Sequence, residues 1–381
     1  MSEVAIVRCE SYESPEVKNA VQKGLDLLGG VRKFAKKDEK ILFKVNFLAG
    51  ETPEKCLNTH PAVLGAAGEI FKTTGAKLSY GDSPAFGTAL AASKKLGMAG
   101  VAAQAGIELK EFQPGTEVHF EQGTQNKKFT IADAVLESDG IISLPKMKAH
   151  GFQKFTGAVK NQFGCVPGLL KGEFHVRAPD ALNFAKMLVD IDRFVRPRLY
   201  IMDGVYAMEG NGPRGGTPRK MNVLLFSEDP VALDATACRM INLDPELVPT
   251  NTAGREAGRG TCDGAGITLL GDDFNSFVCK DFNVDRSPVK PFKGKGFRAC
   301  ISNLLVAKPV IDKKKCARCG ICISACPTDP KSVDWKKTDH LRPPVHNYRT
   351  CIRCYCCQEL CPEKAIDLRK PALRRLLGIK K

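Results

Sequence analysis

Two short cysteine motifs near the end of the chain constrain its fold more than any other feature. The stretches "CARCGICISACP" and "CIRCYCCQELCP" both follow the pattern Cys-x2-Cys-x2-Cys-x3-Cys-Pro. Three thiolates at steps of three residues suit one tight loop around a compact inorganic core, and the fourth thiolate can begin a helix that leaves the loop. The eight cysteines of the pattern are Cys316, Cys319, Cys322, Cys326, Cys351, Cys354, Cys357 and Cys361.

Over residues 308–370 these motifs resemble the bacterial two-cluster ferredoxins. The resemblance implies two 4Fe–4S clusters, one on Cys316, Cys319, Cys322 and Cys361, the other on Cys351, Cys354, Cys357 and Cys326. Zinc is the alternative, but zinc sites usually place a longer loop between two Cys-x2-Cys pairs. Cys356 departs from the pattern, and we expect it to lie beside the ligands rather than to be one.

The composition favours a reducing compartment and an anionic partner. Sixteen cysteines in a chain with no secretory signal point to metal binding rather than disulfides. No window of eighteen uninterrupted apolar residues predicts a membrane span, so we expect a cytoplasmic protein. The net charge of +15 is diffuse apart from basic stretches at 286–298 and in the tail 371–381. It favours an acidic protein partner or an anionic small molecule over nucleic acid, because stacking and helix-turn-helix signals are absent.

Residues 1–300 alternate strand-like and helix-like segments. Apolar runs such as "VAIVRC", "KILFKVNF" and "RLYIMDG" are typical of buried strands, and amphipathic segments at 61–73 and 180–195 separate them. This alternation predicts an α/β domain whose mostly parallel sheet has helices on both faces, followed by a small C-terminal α+β ferredoxin-like domain at 308–370. The stretch 108–132 is expected to add antiparallel strands.

A basic, glycine-rich stretch at 146–175 is the first candidate site. It follows a predicted strand, and in such sheets ligands bind at the carboxyl ends of strands. Lysines among glycines can surround a phosphate, a carboxylate, a nucleotide, a flavin or another small cofactor. The predicted catalytic residues here are Lys146, Lys148, His150 and Lys160, and the predicted cofactor-binding residues are Lys160, Asn161, Lys171 and His175.

An acidic, glycine-rich stretch, "MDGVYAMEGNGPRGGTP", is the second candidate. Asp203 ends a strand and Glu209 precedes four glycines, so the two carboxylates are predicted to bind a metal or to transfer protons. A structural turn explains the same stretch equally well. It is not a P-loop, because no Gly-Lys-Ser/Thr follows.

Several further motifs resemble one family over residues 4–275. They are "KVNF", "YGDSP", "SLPKMKAH", "GAVKNQFG", "MDGVYAMEGNGPRGG" and "DPVALDATA", and their order is similar to that in the domain of unknown function 362 family fused to ferredoxin motifs. This resemblance implies an α/β domain with iron–sulfur clusters. It also implies that 146–175 and 203–209 line the site, but it names no reaction.

Two function classes follow from these observations. In the first, the chain is an oxidoreductase component whose clusters pass low-potential electrons to an anionic substrate or cofactor in the α/β domain. In the second, it is an electron carrier or maturation partner that reduces a separate enzyme. Both require a redox protein partner or another low-potential electron donor. A nucleic-acid binder with a structural cluster ranks last.

Overall fold

A computed structural model describes most of the chain. The predicted domain boundary at residue 300, part of the basic stretch at 286–298, and the tail 371–381 lie outside the described residues. The described ranges are 1–84, 87–168, 170–289, 306–336 and 340–369.

Twelve strands precede residue 290, and four short strands follow residue 305. The first group is β1 (Ser2–Arg8), β2 (Lys40–Lys44), β3 (Lys77–Asp82), β4 (Glu108–Glu111), β5 (Gly115–His119), β6 (Lys128–Ala132), β7 (Gly140–Ser143), β8 (Lys146–His150), β9 (Lys154–Thr156), β10 (Leu199–Glu209), β11 (Thr217–Ser227) and β12 (Ile267–Gly271). The second group is β13 (Lys308–Ile311), β14 (Val333–Asp334), β15 (Val345–His346) and β16 (Ile366–Arg369).

The α-helices fall between these strands. They are α1 (Ser14–Leu27), α2 (Pro61–Lys72), α3 (Ala89–Leu96), α4 (Met98–Ala105), α5 (Asp133–Leu136), α6 (Ala158–Asn161), α7 (Leu170–Arg177), α8 (Ala181–Val195), α9 (Pro230–Met240), α10 (Pro249–Glu256), α11 (Ile321–Ser324) and α12 (Cys356–Glu359).

Ten strands form one mixed sheet in the order β12–β1–β11–β10–β7–β2–β3–β4, with β8 beside β10 and β9 beside β8. The neighbours of β2, of β3 and of β7 are all parallel, whereas the β10–β11 hairpin and the β1–β11 pair are antiparallel. Because the carboxyl ends of β2, β3 and β7 meet at one edge, the sheet brings the polar residues that follow them together.

Alternate residues of each central strand enter different cores, so the sheet is covered on both faces. In β1, Ala5 and Val7 pack with α1 and α2, whereas Val4 and Ile6 pack with α9. This period of two is the pattern of a strand that is buried on both sides. The predicted α/β class, with a mostly parallel sheet and helices on both faces, is confirmed.

The helices that border the site have clear start signals. Asp229 accepts hydrogen bonds from the backbone N–H groups of Val231 and Ala232, and Pro230 occupies the first turn of α9. Asp180 caps α8 in the same way. A capping carboxylate satisfies donors that have no partner inside the helix, which fixes where the helix begins.

The prediction for 108–132 was only partly right. β5 and β6 form an antiparallel pair, but they make a separate two-stranded sheet. β4 instead extends the main sheet in parallel beside β3. A helical connection through α3 and α4 returns the chain to the same end of the sheet, and this crossover makes the pairing parallel.

The described residues between 306 and 369 form a small α+β unit, as predicted. β13 pairs antiparallel with β16, β14 pairs antiparallel with β15, and the one-turn helices α11 and α12 contact each other. The small unit packs against the α/β unit, because Tyr355 and Leu368 join the apolar cluster that contains Phe152 and Phe184.

Candidate functional site

The two cysteine loops repeat one backbone conformation. Arg318 and Arg353, each two residues after the first cysteine of its motif, have φ values of 58° and 61°. Gly320 and Tyr355, each one residue after the second cysteine, have φ values of 73° and 64°. Left-handed residues let a short loop curl so that its side chains converge on one point. Both loops are therefore shaped to surround a compact group.

The first set of sulfur atoms surrounds a small cavity, which is lined by Cys316, Cys319, Cys322 and Cys361. Burial, and then the charges of its three neighbours in this set, raises the pKa of Cys322 to about 12. The backbone N–H of Ala365 donates to Cys361 Sγ at 3.3 Å. Four thiols around one space, with an N–H aimed at sulfur, fit an iron–sulfur core.

The second set, as the resemblance implies it, takes Cys326 from the first motif. Burial, and then the charges of Cys354, Cys351, Cys322 and Cys326, raises the pKa of Cys357. Sulfur atoms of both motifs therefore lie near Cys357, and the division into two sets stays a prediction. His346 Nε2 lies 3.4 Å from Cys357 Sγ. In the part of the chain that the structure describes, no three His, Cys, Asp or Glu side chains are arranged around a single ion.

The acidic, glycine-rich stretch of the α/β unit forms hydrogen bonds with the small unit. Gln358 Nε2 donates to Asn211 O at 3.0 Å, and Arg214 Nη1 donates to Leu360 O at 2.8 Å. A Cβ on Gly212 would lie 2.0 Å from the carbonyl oxygen of Ala149, so only glycine fits at this position. These contacts support the alternative that this stretch is a structural turn.

Asp203 and Glu209 do not meet in the structure. Asp203 accepts from Lys146 Nζ at 2.8 Å and from the hydroxyl of half-buried Tyr12 at 2.7 Å. Glu209 accepts from the backbone N–H of Asn283 at 2.8 Å. Neither carboxylate lines the large cavity described next.

A cavity of about 540 Å³ lies at the junction of the two units. The α/β unit contributes most of the predicted basic residues to its wall, and the small unit contributes α11, the residues that follow it, and α12. The cavity lining includes Asn46, Asp82, Ser83, Lys148, Lys160, Asn161, Lys171, His175, Cys326, Cys356, Glu359 and Leu360.

Lys148 differs from the other buried lysines at the same sheet edge. Lys44 is paired with Asp82 at 2.9 Å and Lys146 with Asp203 at 2.8 Å. Lys148 Nζ donates instead to two neutral oxygens, Asn46 Oδ1 and Leu57 O, both at 2.7 Å. Burial, and then the positive charges of Lys160 and Lys146, lowers its pKa to about 7.

Lys160 and Lys171 add two further cations to the cavity. Lys171 Nζ donates to Ser83 O, and burial lowers its pKa to about 8. Lys160 Nζ lies 6.0 Å from the centre of the Phe163 ring. Within the described ranges neither lysine has a carboxylate in salt-bridge distance. Three cations without counterions around one cavity make it an attractive site for an anion.

His175 lines the same cavity, and His150 lies behind the wall, facing the lining residue Glu359. His150 Nδ1 accepts from the backbone N–H of Phe152 at 3.0 Å, so Nε2 carries the proton and faces Glu359 Oε1 at 3.1 Å. Buried His175 stacks on Phe184, burial lowers its pKa to about 4, and its Nδ1 has no hydrogen-bond partner among the described residues. A buried, unpartnered ring nitrogen in a cavity wall is available to a ligand.

A buried carboxylate positions α6, which carries Lys160 and Asn161. Asp234 accepts from the backbone N–H groups of Ala158 at 2.6 Å and Val159 at 3.2 Å. A Cβ on Gly157 would lie 2.1 Å from Asp234 Oδ1, so the close approach requires glycine. Asn161 Oδ1 in turn accepts from Asn46 Nδ2 at 3.0 Å.

The sequence pattern did not predict a role for Glu359, and it did not predict that Cys356 lines a cavity. Both lie inside the second cysteine motif, where the ligand spacing dominates the pattern and gives no sign of a second role. A carboxylate between the third and fourth cysteines was the one available signal.

Two family models match separate parts of the chain. The model of the domain of unknown function DUF362 matches residues 41–239, and that of the 4Fe-4S dicluster domain matches residues 308–362. A thylakoid-associated protein of Synechocystis sp. is 35% identical over 259 residues, which cover 67% of this chain and 79% of that protein. Among the described helices, none combines the length and apolar character needed to cross a bilayer.

Two solved structures show distant similarity. The lactate racemase apoprotein of Thermoanaerobacterium thermosaccharolyticum is 13% identical, with a TM-score of 0.38 over 60% of this chain and 54% of that one. A protein of Thermotoga maritima is 14% identical, with a TM-score of 0.39 over 59% of each chain. The chain spans less than two thirds of both. By its family match and its relative, the chain belongs to the domain of unknown function 362 family, and it carries a 4Fe-4S dicluster domain.

Proposed function

We propose that this iron–sulfur electron-transfer protein is an oxidoreductase component that reduces an anionic substrate or cofactor in the cavity between its units. One observation carries the proposal: Cys326, an expected cluster ligand, lies in the wall of the same cavity as Lys148, Lys160 and Lys171. An electron source and an anion site thus share one space.

The cysteines would hold two 4Fe–4S clusters, in the sets implied by the resemblance. Such clusters supply one-electron transfer at low potential. Cys319 is exposed, whereas Cys326 and Cys357 are buried, and Cys326 lines the cavity between the units. The first set is therefore suited to receive electrons, and the second set is suited to release them into the cavity.

The lysines would bind the negative charge of the ligand. Lys148 uses two of its three N–H donors on Asn46 and Leu57 and keeps one for a ligand. An anion would restore the full charge of this lysine, whose pKa is lowered to about 7 in the protein alone. A lysine with such a pKa can also donate a proton to a group that gains electrons.

The cavity sets the size of the ligand. Its volume of about 540 Å³ lies in the usual range for small-molecule sites, roughly 300–1,000 Å³. Phe163, Leu48 and Leu360 supply apolar wall, so we expect an organic anion rather than a bare inorganic ion. A flavin or another small cofactor is one candidate of this class.

Mass spectrometry of small molecules released from anaerobically purified protein tests the proposal. We expect one anionic molecule per chain in the wild type. The variants K148M and K171M should release less than a tenth as much, since each removes one unpaired cation. Their iron content should stay at the wild-type value.

The exposed double variant K94M/K95M, on α3, is the matched control and should retain the molecule. Equal retention in K148M, K171M and the wild type would show that these lysines do not bind it. A wild type with intact clusters and no anion would overturn the proposal.

An electron carrier or maturation partner is the second candidate, because the exposed Cys319 loop gives another protein access to the first set of cysteines. An empty cavity beside intact clusters would favour this candidate. A cytoplasmic location also stays a prediction.

A further inference from the structure

The loop that carries Cys319 opens toward solvent. Cys319 is exposed and Cys316, Cys322 and Cys351 are half-buried, whereas Cys354 and Cys357 are buried. The first loop is therefore the more accessible one to another protein, and electron transfer needs a short distance between the donor and the first acceptor.

The segment between the two motifs borders this loop. Arg318 Nη1 donates to Leu341 O at 2.9 Å, and the Trp335 ring lies 3.7 Å from the position of a Cβ on Gly320. Pro344 lines the cavity of the first set of sulfur atoms. The sequence favours a solvated insertion for this segment, with a docking surface as the alternative, and the structure places Leu341 and Pro344 beside the first loop.

Apolar side chains of this segment are exposed beside the loop. Leu341 is 83% exposed and Val345 is 51% exposed. These are the highest exposures among the described large apolar residues apart from Met1. Scattered exposed leucines are ordinary, but two beside a redox loop form a small apolar contact area.

Exposed basic residues lie in the chain segment that leads into the same loop, and Arg318 contacts Leu341. Lys313, Lys314, Lys315 and Arg318 are all exposed, within six residues of chain that lead into the loop. Asp312 offsets part of this charge, since Lys315 Nζ lies 4.0 Å from its carboxylate. Asp334 and Glu363 add two more negative charges nearby, so the lysines and Arg318 still exceed the carboxylates.

We infer that this area, formed by Lys313–Lys315, Arg318, Leu341 and Val345, docks an acidic electron-carrier protein that reduces the first cluster. Complementary charge steers such encounters and raises the association rate, and a small apolar centre suits a transient contact. The inference concerns how electrons arrive and is independent of what binds in the cavity.

Stopped-flow reduction by an acidic flavodoxin hydroquinone tests the inference. The bleaching of cluster absorbance gives the second-order rate constant, measured over a range of ionic strength. We expect K313E/K314E to lower this constant about tenfold at low salt, because steering charges act at that scale. The difference from the wild type should disappear at high salt, where charges are screened.

Two further variants distinguish a loss of docking from a general effect of changed charge on the rate constant. K36E/K37E carries the same charge change on exposed residues just before β2, at the opposite edge of the sheet from the site, and should react as fast as the wild type. L341S should be slower than the wild type at every salt concentration, since it removes an apolar contact.

Photoreduction with deazariboflavin, a small neutral reagent, should proceed equally in all variants. A wild-type rate constant in K313E/K314E would overturn the inference, and so would an equal loss in K36E/K37E. Retention of the cavity anion in these variants is a separate readout, so failure here leaves the proposed cavity site unaffected.

Discussion

The lysines at the carboxyl edge of the sheet differ in what neutralises them. Lys44 and Lys146 each have an aspartate within 3 Å, whereas Lys148 has only neutral acceptors. Burying an unpaired charge costs several kcal/mol, so a folded protein keeps one only where something else recovers the cost. In this protein, Lys148 is therefore the residue whose charge the proposed anion would neutralise.

Substitution by methionine should separate the two kinds of buried lysine. K44M leaves Asp82 buried without its cation and should lower the free energy of unfolding by about 3 kcal/mol. K148M removes an uncompensated charge and should leave that free energy unchanged or raise it. Anaerobic urea unfolding of protein freed of small molecules, followed by circular dichroism, measures both.

The pH dependence of that comparison gives an independent check. The pKa of Lys148 is lowered from 10.5 to about 7 in the folded protein, so between these values the unfolded chain binds more protons. Wild-type stability therefore rises with pH across this window, and the full cost of burial is present below pH 7. The advantage of K148M should shrink by up to about 1.4 kcal/mol per pH unit. A constant difference from pH 7 to pH 10 would contradict this assignment.

At the scale of elements, one turn decides how the two units meet. The loop between β10 and β11 carries Asn211, Gly212 and Arg214, which contact Gln358 and Leu360 of the small unit. Gly212 lies against the carbonyl oxygen of Ala149, next to His150, which faces Glu359. The turn thus holds the second cysteine loop beside the cavity.

An alanine at this turn should loosen the junction. G212A forces a Cβ into a space 2.0 Å from backbone, and the turn must move. If the substitution destabilises the contact between the two units by about 1–2 kcal/mol, the fraction of molecules in which they have separated rises about five- to thirtyfold. We therefore expect clusters in G212A to bleach faster in air by a factor in that range.

G100A is the matched control, because a Cβ at Gly100 in α4 meets nothing within 4 Å. This variant should bleach at the wild-type rate. Equal rates for G212A and the wild type would mean that the turn does not hold the junction closed.

Some elements could be predicted from sequence patterns, and others could not. Apolar runs and helical patterns located the central strands and α8 correctly, because burial on one face or two leaves a pattern in the residue order. The direction of pairing for β4 was missed, since it depends on the path of the connection through α3 and α4 and not on the four residues of the strand.

At the scale of the whole molecule, the two sets of cysteines lie at different depths. The loop of Cys319 opens to solvent, and Cys326 lies in the cavity wall between the units. Under the proposed function, this arrangement would give electrons an order: from the surface, through the first cluster and then the second, to the cavity.

Loss of the outer cluster should break this order without removing the inner one. C319S should lower the iron content by about half, from roughly eight atoms for two 4Fe–4S clusters. Electron paramagnetic resonance of the reduced variant should show one cluster without the spin coupling of a close pair. Loss of all iron, or of none, would contradict the separate sets.

Residue order alone determined the cysteine domain and the α/β class, because ligand spacing and strand periodicity are local properties. It also marked the basic stretch that contributes Lys148, Lys160, Lys171 and His175 to the cavity. Only the tertiary structure decided that Lys44 and Lys146 are neutralised by aspartates. It also decided that the acidic stretch contacts the small unit, and that Glu359 and Cys326 complete the cavity wall. Those outcomes depend on partners far apart in the chain, which meet only when the sheet and the cysteine domain have packed together.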